Sequence, residues 1–272
     1  MALTKKELTQ DKQNWWYWQE RQAAIQTEIT DKSIAETEKQ LARYYLAAQK
    51  NVINQFERTY EKLLNTVADG KEPTPADLYK LDTYWKMEAE VSKELDKLGN
   101  KQAALLSKNF VNEWEHIYKG VALKDGLFFN KINTDLAKQM INQIWYADGK
   151  TWSDRIWTNT NLLKEELNEH LINCVLTGKK TTELKKILQE RFGVSYSRAD
   201  TVVRTEMAHI QTQAAKQRYA DEGVRYVEIL ADKDERRCDR CGELHQKRYP
   251  VFGNVPIPAH PNCRCCILPV VE

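Results

Sequence analysis

The chain has 272 residues, 42% of them hydrophobic, with 41 basic and 39 acidic side chains and a formal net charge of +2. Charge this close to balance excludes a whole-molecule field that would hold the protein on DNA or on an anionic membrane, so any nucleic-acid binding has to be local. The length is enough for two folding units with real cores, and residues 1–21 hold no apolar run of the length that a signal peptide or a membrane span requires.

Over residues 33–68, Ile34, Leu41, Tyr45, Ala48, Val52, Phe56, Tyr60, Leu63 and Val67 recur at steps of three, four or seven, which predicts one long amphipathic helix. The two successive four-residue steps from Val52 to Tyr60 break a strict heptad, so this stripe suits a bundle better than a dimeric rod. Residues 70–73 predict a turn. Thr74-Pro75-Ala76-Asp77 then supplies an N-cap, a first-turn proline and an acidic group at the positive end of a second helix. Its stripe of Leu78, Leu81, Trp85, Val91, Leu95 and Leu98 is expected to end at Gly99-Asn100. Leu106, Phe110, Trp114 and Ile117 mark a third helix that stops near Gly120. Residues 1–120 are thus expected to form an N-terminal helical, partner-binding region of antiparallel helices.

Residues 121–272 make the second expected domain. Helices are predicted over 134–146, 154–176, 181–192 and 197–220, with Gly149, Gly178, Gly193 and Gly223 as punctuation. Only beyond Gly223 does the apolar period shorten to two, predicting strands over 224–231 and 266–271. The expected fold is mainly α: a long helical N-terminal region, then a helical domain ending in a small zinc-stapled β unit (α+β).

The chemistry concentrates in that β unit. Cys238-Asp-Arg-Cys241 is followed by eighteen residues and then by His260-Pro-Asn-Cys263-Arg-Cys265-Cys266. Two short ligand pairs bracketing a loop suit one tetrahedral zinc, because thiolates and imidazole favour zinc over magnesium or calcium. Five of the six cysteines lie from residue 238 onward, whereas a disulfide framework would spread them over the loops it ties. Cys238, Cys241, His260 and Cys263 are the expected ligands of a structural zinc. Cys265 or Cys266 can replace Cys263, and His245 can replace His260. The loop between the pairs, rich in Gly and Pro, is expected to lack regular structure and to depend on the metal for its order.

Zinc catalysis is disfavoured, because three thiolates and one imidazole close the shell. A zinc deaminase also needs Pro before its Cys pair and an upstream His-x-Glu, but Arg237 precedes Cys238 and His209 is followed by Ile210 and Gln211. The alternative kept open is a zinc-dependent nucleic-acid-binding protein or treble-clef-like nuclease acting on DNA, with His245 or His260 as its base.

Four further features are weighed against plainer roles. Arg204 and Glu206 cannot face each other on one helix, so each needs its own partner, in a buried polar network or in solvent. The aromatic run containing Trp15, Trp16 and Trp18 suits either a cap over the helices or an anchor for a partner protein. His170 and Cys174, four apart among Leu167, Leu171 and Val175, read as core. The lysines between 179 and 186 read as a solvated face.

Several of these residues together resemble a known family. Gly149-Lys-Thr-Trp152-Ser-Asp-Arg155-Ile156, Arg204-Thr205-Glu206, Cys238-x-x-Cys241 and Pro258-Ala-His260-Pro-Asn-Cys263-Arg264-Cys265 match, in order and spacing, the minor head or head morphogenesis proteins of tailed bacteriophages typified by the Mu F protein. Tyr17-Trp18-x-x-Arg21 is similar to the N-terminal part of such proteins. The resemblance implies a non-enzymatic minor capsid protein that associates with the portal protein at the inner portal vertex. It implies roles in head assembly and in genome packaging or delivery, in a virion assembled in the bacterial cytoplasm. Scaffold or major capsid protein and packaged double-stranded DNA are further implied contacts, and no membrane is. The metal-binding Cys and His carry over to Cys238, Cys241, His260 and Cys263, while Cys266 departs from the family's Cys-Arg-Cys and leaves the fourth ligand open.

Overall fold

The computed structural model describes residues 12–67, 81–123, 133–231 and 237–270, together with positions 74, 76 and 79. Its helices are α1 (Lys12–Val67), α2 (Asp82–Gly120), α3 (Thr134–Ile141), α4 (Trp152–Leu176) and α5 (Thr181–Asp221). Beyond them come β1 (Tyr226–Leu230), a short α6 (Asp239–Leu244), β2 (Arg248–Pro250) and β3 (Cys266–Val270). The chain is therefore mainly α with a small antiparallel sheet near its end, as its periodicity predicts. The turn expected over 70–73, Pro75, Asp77 and Leu78 lie outside the described residues, as do the side chains of Leu63 and Val67.

The long helices run through two of the expected breaks. Gly99 does not end a helix: it sits inside α2, where a β-carbon would come within 2.7 Å of the Trp157 ring, so its small size serves close packing rather than a C-cap. Gly193 lies inside α5 in the same way, because buried Leu184, Leu188, Phe192, Ser195, Ala199 and Val203 keep the helical period across it. Gly178 and Gly223 do stop helices. Each has positive φ and a Schellman pair of bonds, Lys179 N–H to Cys174 O and Gly178 N–H to Val175 O for α4, and Val224 N–H to Tyr219 O and Gly223 N–H to Ala220 O for α5. Helix α4 begins two residues before the expected start because Thr151 and Asp154 form a reciprocal capping box. Trp85 is the other correction. It is 49% exposed and donates its indole N–H to Tyr79 O, while Tyr84 and Met87 take the buried positions of that turn.

By contacts the chain divides into two interleaved units, one of residues 1–37, 106–149 and 201–272 and the other of 38–105 and 150–200, where the expected division ran 1–120 and 121–272. In the second unit the stripe of Leu41, Tyr45, Val52, Phe56 and Tyr60 on α1 is buried as predicted. A polar cluster lies within this core: Asn159 donates to Tyr45 Oη and to Ser195 O, and Tyr45 Oη lies 3.2 Å from Gln102 Oε1. Burial pushes the Tyr45 phenol up to about 12, so it stays a neutral donor. His170 is half-buried and Cys174 buried, in keeping with a core-facing turn of α4.

The first unit carries the sheet. Its strand order is β2-β1-β3, and both pairings are antiparallel, with Val227 opposite Tyr249 and Pro269 and with Leu230 opposite Cys266. Val227 and Ile229 of β1 are buried, as alternation predicts. On β3, Ile267 O accepts a 2.8 Å hydrogen bond from Gln26 Nε2 of α1, so a helix side chain occupies one backbone acceptor of the edge strand. Among the described residues no helix is long and apolar enough to cross a membrane.

Candidate metal centre

The segment between β1 and β3 is more ordered by protein contacts than its composition predicts. It contains α6 and β2, which corrects the expectation of a loop without regular structure, and Val251, Val255, Ile257 and Ala259 are buried. Helix α5 holds it at two points. Lys216 Nζ donates to Gly253 O at 2.8 Å, and Asn262 N–H donates to Thr205 Oγ1 at 3.1 Å. Burial lowers the pKa of Lys216 from its ordinary value.

The first ligand pair forms where α6 begins. Cys238 is the N-cap, and its Sγ accepts the Cys241 N–H at 3.4 Å, so the turn that starts the helix also brings the two sulfurs together. The second pair forms around Asn262, whose φ of 60° turns the chain left-handed just before Cys263, a conformation Asn tolerates better than most residues. Two groups result, Cys238 with Cys241 and His260, and Cys241 with Cys263 and Cys265, the ligand atoms of each lying within 4.8 Å of one another.

This donor set could hold a metal ion. Bond lengths of about 2.3 Å to sulfur and about 2.0 Å to nitrogen at a tetrahedral angle place two sulfurs about 3.8 Å apart, and a sulfur and a nitrogen about 3.5 Å apart. Cys241 Sγ lies 3.8 Å from Cys263 Sγ, which matches, and 3.1 Å from His260 Nε2, which is the closer approach of a sulfur–imidazole hydrogen bond. The imidazole is already set in the required tautomer. Its Nδ1 is 2.7 Å from Pro261 O, a carbonyl that only accepts, so Nδ1 carries the proton and the Nε2 lone pair faces the thiols.

The thiols are unequal. Cys263 is held down to about 5, first by the Cys265 side chain and then by backbone N–H groups of Cys265 and Ala259, against the opposing effect of burial. Burial and the neighbouring Cys263 push Cys241 up to about 12, and hydrogen bonding to Cys263 together with burial pushes Cys265 up as well.

Of the alternates, Cys265 lies in the second donor group, and His245 and Cys266 fall elsewhere. His245 closes α6, and its Nδ1 accepts the Ala231 N–H at 3.3 Å, so that lone pair is occupied and His245 is in neither donor group. Cys266 is buried at the start of β3 opposite Leu230, also outside both groups. Glu206 is buried on α5, and its carboxylate accepts the Trp145 indole N–H at 2.9 Å. Trp145 stacks on His209 with ring centres 4.1 Å apart. Arg204 is half-buried on the same helix. Trp18 is half-buried with the Arg21 guanidinium 5.2 Å over its ring, while the side chains of Trp15 and Trp16 lie outside the described residues. Sequence reasoning missed the Trp145–Glu206–His209 cluster, although Glu206 and His209 stand at the i, i+3 spacing of one helix face.

A helical protein ending in a small sheet with a Cys/His centre that could hold a metal ion is thus defined by fold and site together. Residues 165–268 match the family model described as Phage Mu protein F like protein, and this segment contains every donor residue of the centre. The resemblance carried by the motifs is borne out over that stretch, which is similar to the Mu F family. No curated protein and no solved structure matches the chain significantly.

Proposed function

We propose that the protein is a structural minor component of the head of a tailed bacteriophage. It binds the portal protein inside the capsid and acts in head assembly and in genome packaging or delivery. The Mu F-like match over residues 165–268 carries this reading, and it makes other head components the natural partners: portal first, then scaffold or major capsid protein and packaged DNA. The metal of the centre is zinc, supported by a thiol-rich donor set with one imidazole and by sulfur spacing that suits a tetrahedral ion. Its role is to staple the segment between β1 and β3. A non-enzymatic role is supported by the ligand supply, since donors from Cys238, Cys241, His260, Cys263 and Cys265 exceed the four positions of such an ion and compete with water for each.

The partner anchor is the tryptophan cluster of α1, Trp15, Trp16 and Trp18. The test is retention of the full chain on purified portal assemblies, compared with a variant carrying W15A, W16A and W18A. Loss of a hot-spot cluster is expected to weaken binding at least about 30-fold, with helical circular dichroism unchanged. Absence of wild-type binding overturns the portal assignment, and equal binding by the variant removes the anchor. Zinc-loaded protein is expected to leave duplex DNA uncut.

A further inference from the structure

Within the second unit, helices α1 and α5 leave an open apolar groove between them. Its volume is about 240 Å³, below the roughly 300–1,000 Å³ of a small-molecule site, so it has room for side chains rather than for a whole ligand. Buried Tyr45 and Phe192 form the floor, with Ala42, Leu46, Gly193 and Tyr196 around them. That floor is fixed before anything binds. Tyr45 meets Tyr196 edge to face with ring centres 5.5 Å apart, and its hydroxyl is engaged by Gln102, Asn159 and Ser195. Gln49 Nε2 donates to Gln189 O at 3.4 Å, which bridges the two helices at one end of the groove.

Two residues on the groove are left unexplained by the chain's own packing. Gly193 stands inside α5 without positive φ, and a β-carbon added there would meet nothing within 4 Å. Glycine weakens a helix interior, yet here it neither turns the chain nor admits one of the chain's own groups. Its effect is to keep the groove open beside Phe192. Leu46, on α1, is 64% exposed. The charge around them is one-sided. Arg43 and Lys50 are exposed one turn to either side of Leu46, Lys39 is exposed a turn further along α1, and Lys186 is exposed two turns before Gly193. Among the nearby carboxylates, Glu190 is paired with Arg191 at 2.6 Å, and half-buried Glu38 and Asp200 have interactions of their own.

We propose that this groove docks an acidic amphipathic helix of a partner protein. A helix suits it because two packed helices present a groove into which the side-chain ridge of a third fits. A leucine- or phenylalanine-sized anchor sits beside Gly193 and Leu46, and flanking Asp or Glu side chains meet Arg43, Lys50 and Lys186. The inference stands apart from the metal centre and from the tryptophan cluster, since none of their residues touches the groove.

The test uses the full chain and two fluorescent helical peptides of about 14 residues, identical in their leucine stripe and carrying either glutamates or lysines beside it. Wild type is expected to bind the acidic peptide, to bind the basic one at least about 10-fold more weakly, and to lose affinity for the acidic one as salt rises. G193L fills the groove from a helix position with open space around it. Its urea midpoint is expected to match or exceed that of wild type, while affinity for the acidic peptide falls at least about 30-fold. R43E/K50E is expected to reverse the preference between the two peptides. L46A, a change at an exposed site, is expected to weaken binding about 10-fold, and it decides the matter if G193L does not fold. Binding of neither peptide, equal binding of both, or unchanged affinity in G193L or L46A overturns the proposal. So does a wild type that self-associates in sedimentation while G193L stays monomeric, which assigns the groove to a second copy of the chain.

Discussion

Thr205 accepts the backbone N–H of Asn262 on the same hydroxyl oxygen that donates to Thr201 O, the two bonds measuring 3.1 and 2.7 Å. The middle residue of Arg204-Thr205-Glu206 is thereby tied to the residue that precedes Cys263, across 57 positions of sequence. Asn262 carries the left-handed turn that brings Cys263 back toward Cys241. A helix hydroxyl therefore sets the position from which a metal-binding cysteine is presented.

Replacing Thr205 by Val keeps the shape and removes the acceptor. T205V is expected to cost about 1 kcal/mol of stability, the net worth of one hydrogen bond, and to lower metal affinity about 10-fold, as loss of an outer support does. T205S is expected to restore both. Urea unfolding of the zinc-loaded chain and competition with a chromophoric chelator measure the two effects. Unchanged affinity in T205V would mean that the bond does not position the centre.

At Gly99 two effects oppose each other. Alanine is favoured over glycine in a helix interior by about 1 kcal/mol, but its β-carbon would meet the edge of the Trp157 ring at 2.7 Å. Overpacking of that kind costs about 1–3 kcal/mol, so G99A is expected to destabilise the protein. In a W157L background the same change is expected to be neutral or stabilising. Denaturant midpoints of the four proteins in this cycle give the coupling directly, and additive effects would show that Trp157 does not constrain the position.

The helices and the donor residues were legible in the sequence for different reasons. A buried stripe such as Leu41, Tyr45, Val52, Phe56 and Tyr60 writes its period openly, and Cys238-x-x-Cys241 writes a tight turn. Gly99 and Gly193 misled because a glycine needed for close approach, or merely tolerated, looks the same in one dimension as a glycine that ends a helix. The unbroken period from Leu184 through Phe192 to Val203 was the better signal. Neighbouring Tyr84 and Trp85 compete for one buried position, and composition alone favours the larger ring, which the structure leaves exposed. Cys265 was legible as an alternate to Cys263, but the placement of both thiols beside Cys241 at once was not, since it follows from the turn at Asn262, where the chain is left-handed and the Thr205 hydroxyl accepts the backbone N–H.

Removal of the metal is expected to loosen one part of the chain selectively. Helix α5 and the buried Val251, Val255 and Ile257 retain contacts that need no metal, whereas α6 and residues 259–265 depend on the donor groups. Chelation should leave far-ultraviolet helical dichroism nearly intact while exposing residues 237–265 to limited proteolysis and to faster amide exchange. Restored zinc should reverse both. Global unfolding on chelation would show that the centre supports far more of the fold than the segment it joins.

Glu113 gives a pH dependence of determined sign. It lies fully buried on α2 and accepts a 2.5 Å hydrogen bond from Thr30 Oγ1 of α1. Burial raises its pKa, outweighing the lowering effect of hydrogen bonds from Ser33 and Thr30. The folded chain therefore keeps a proton that the unfolded chain, with an ordinary carboxyl pKa of about 4.3, releases. Stability from this group is complete below that unfolded value and is lost as pH rises toward and through the folded pKa. Glutamine keeps an acceptor for Thr30 and has no proton to lose. E113Q is thus expected to be more stable than wild type near pH 7, and the difference should vanish toward about pH 4. Paired denaturation curves across that range measure the difference directly and cancel the titration of every other group. A constant difference would show that Glu113 is not the site of the linkage, and one that grows toward acid would reverse the assigned direction of its shift.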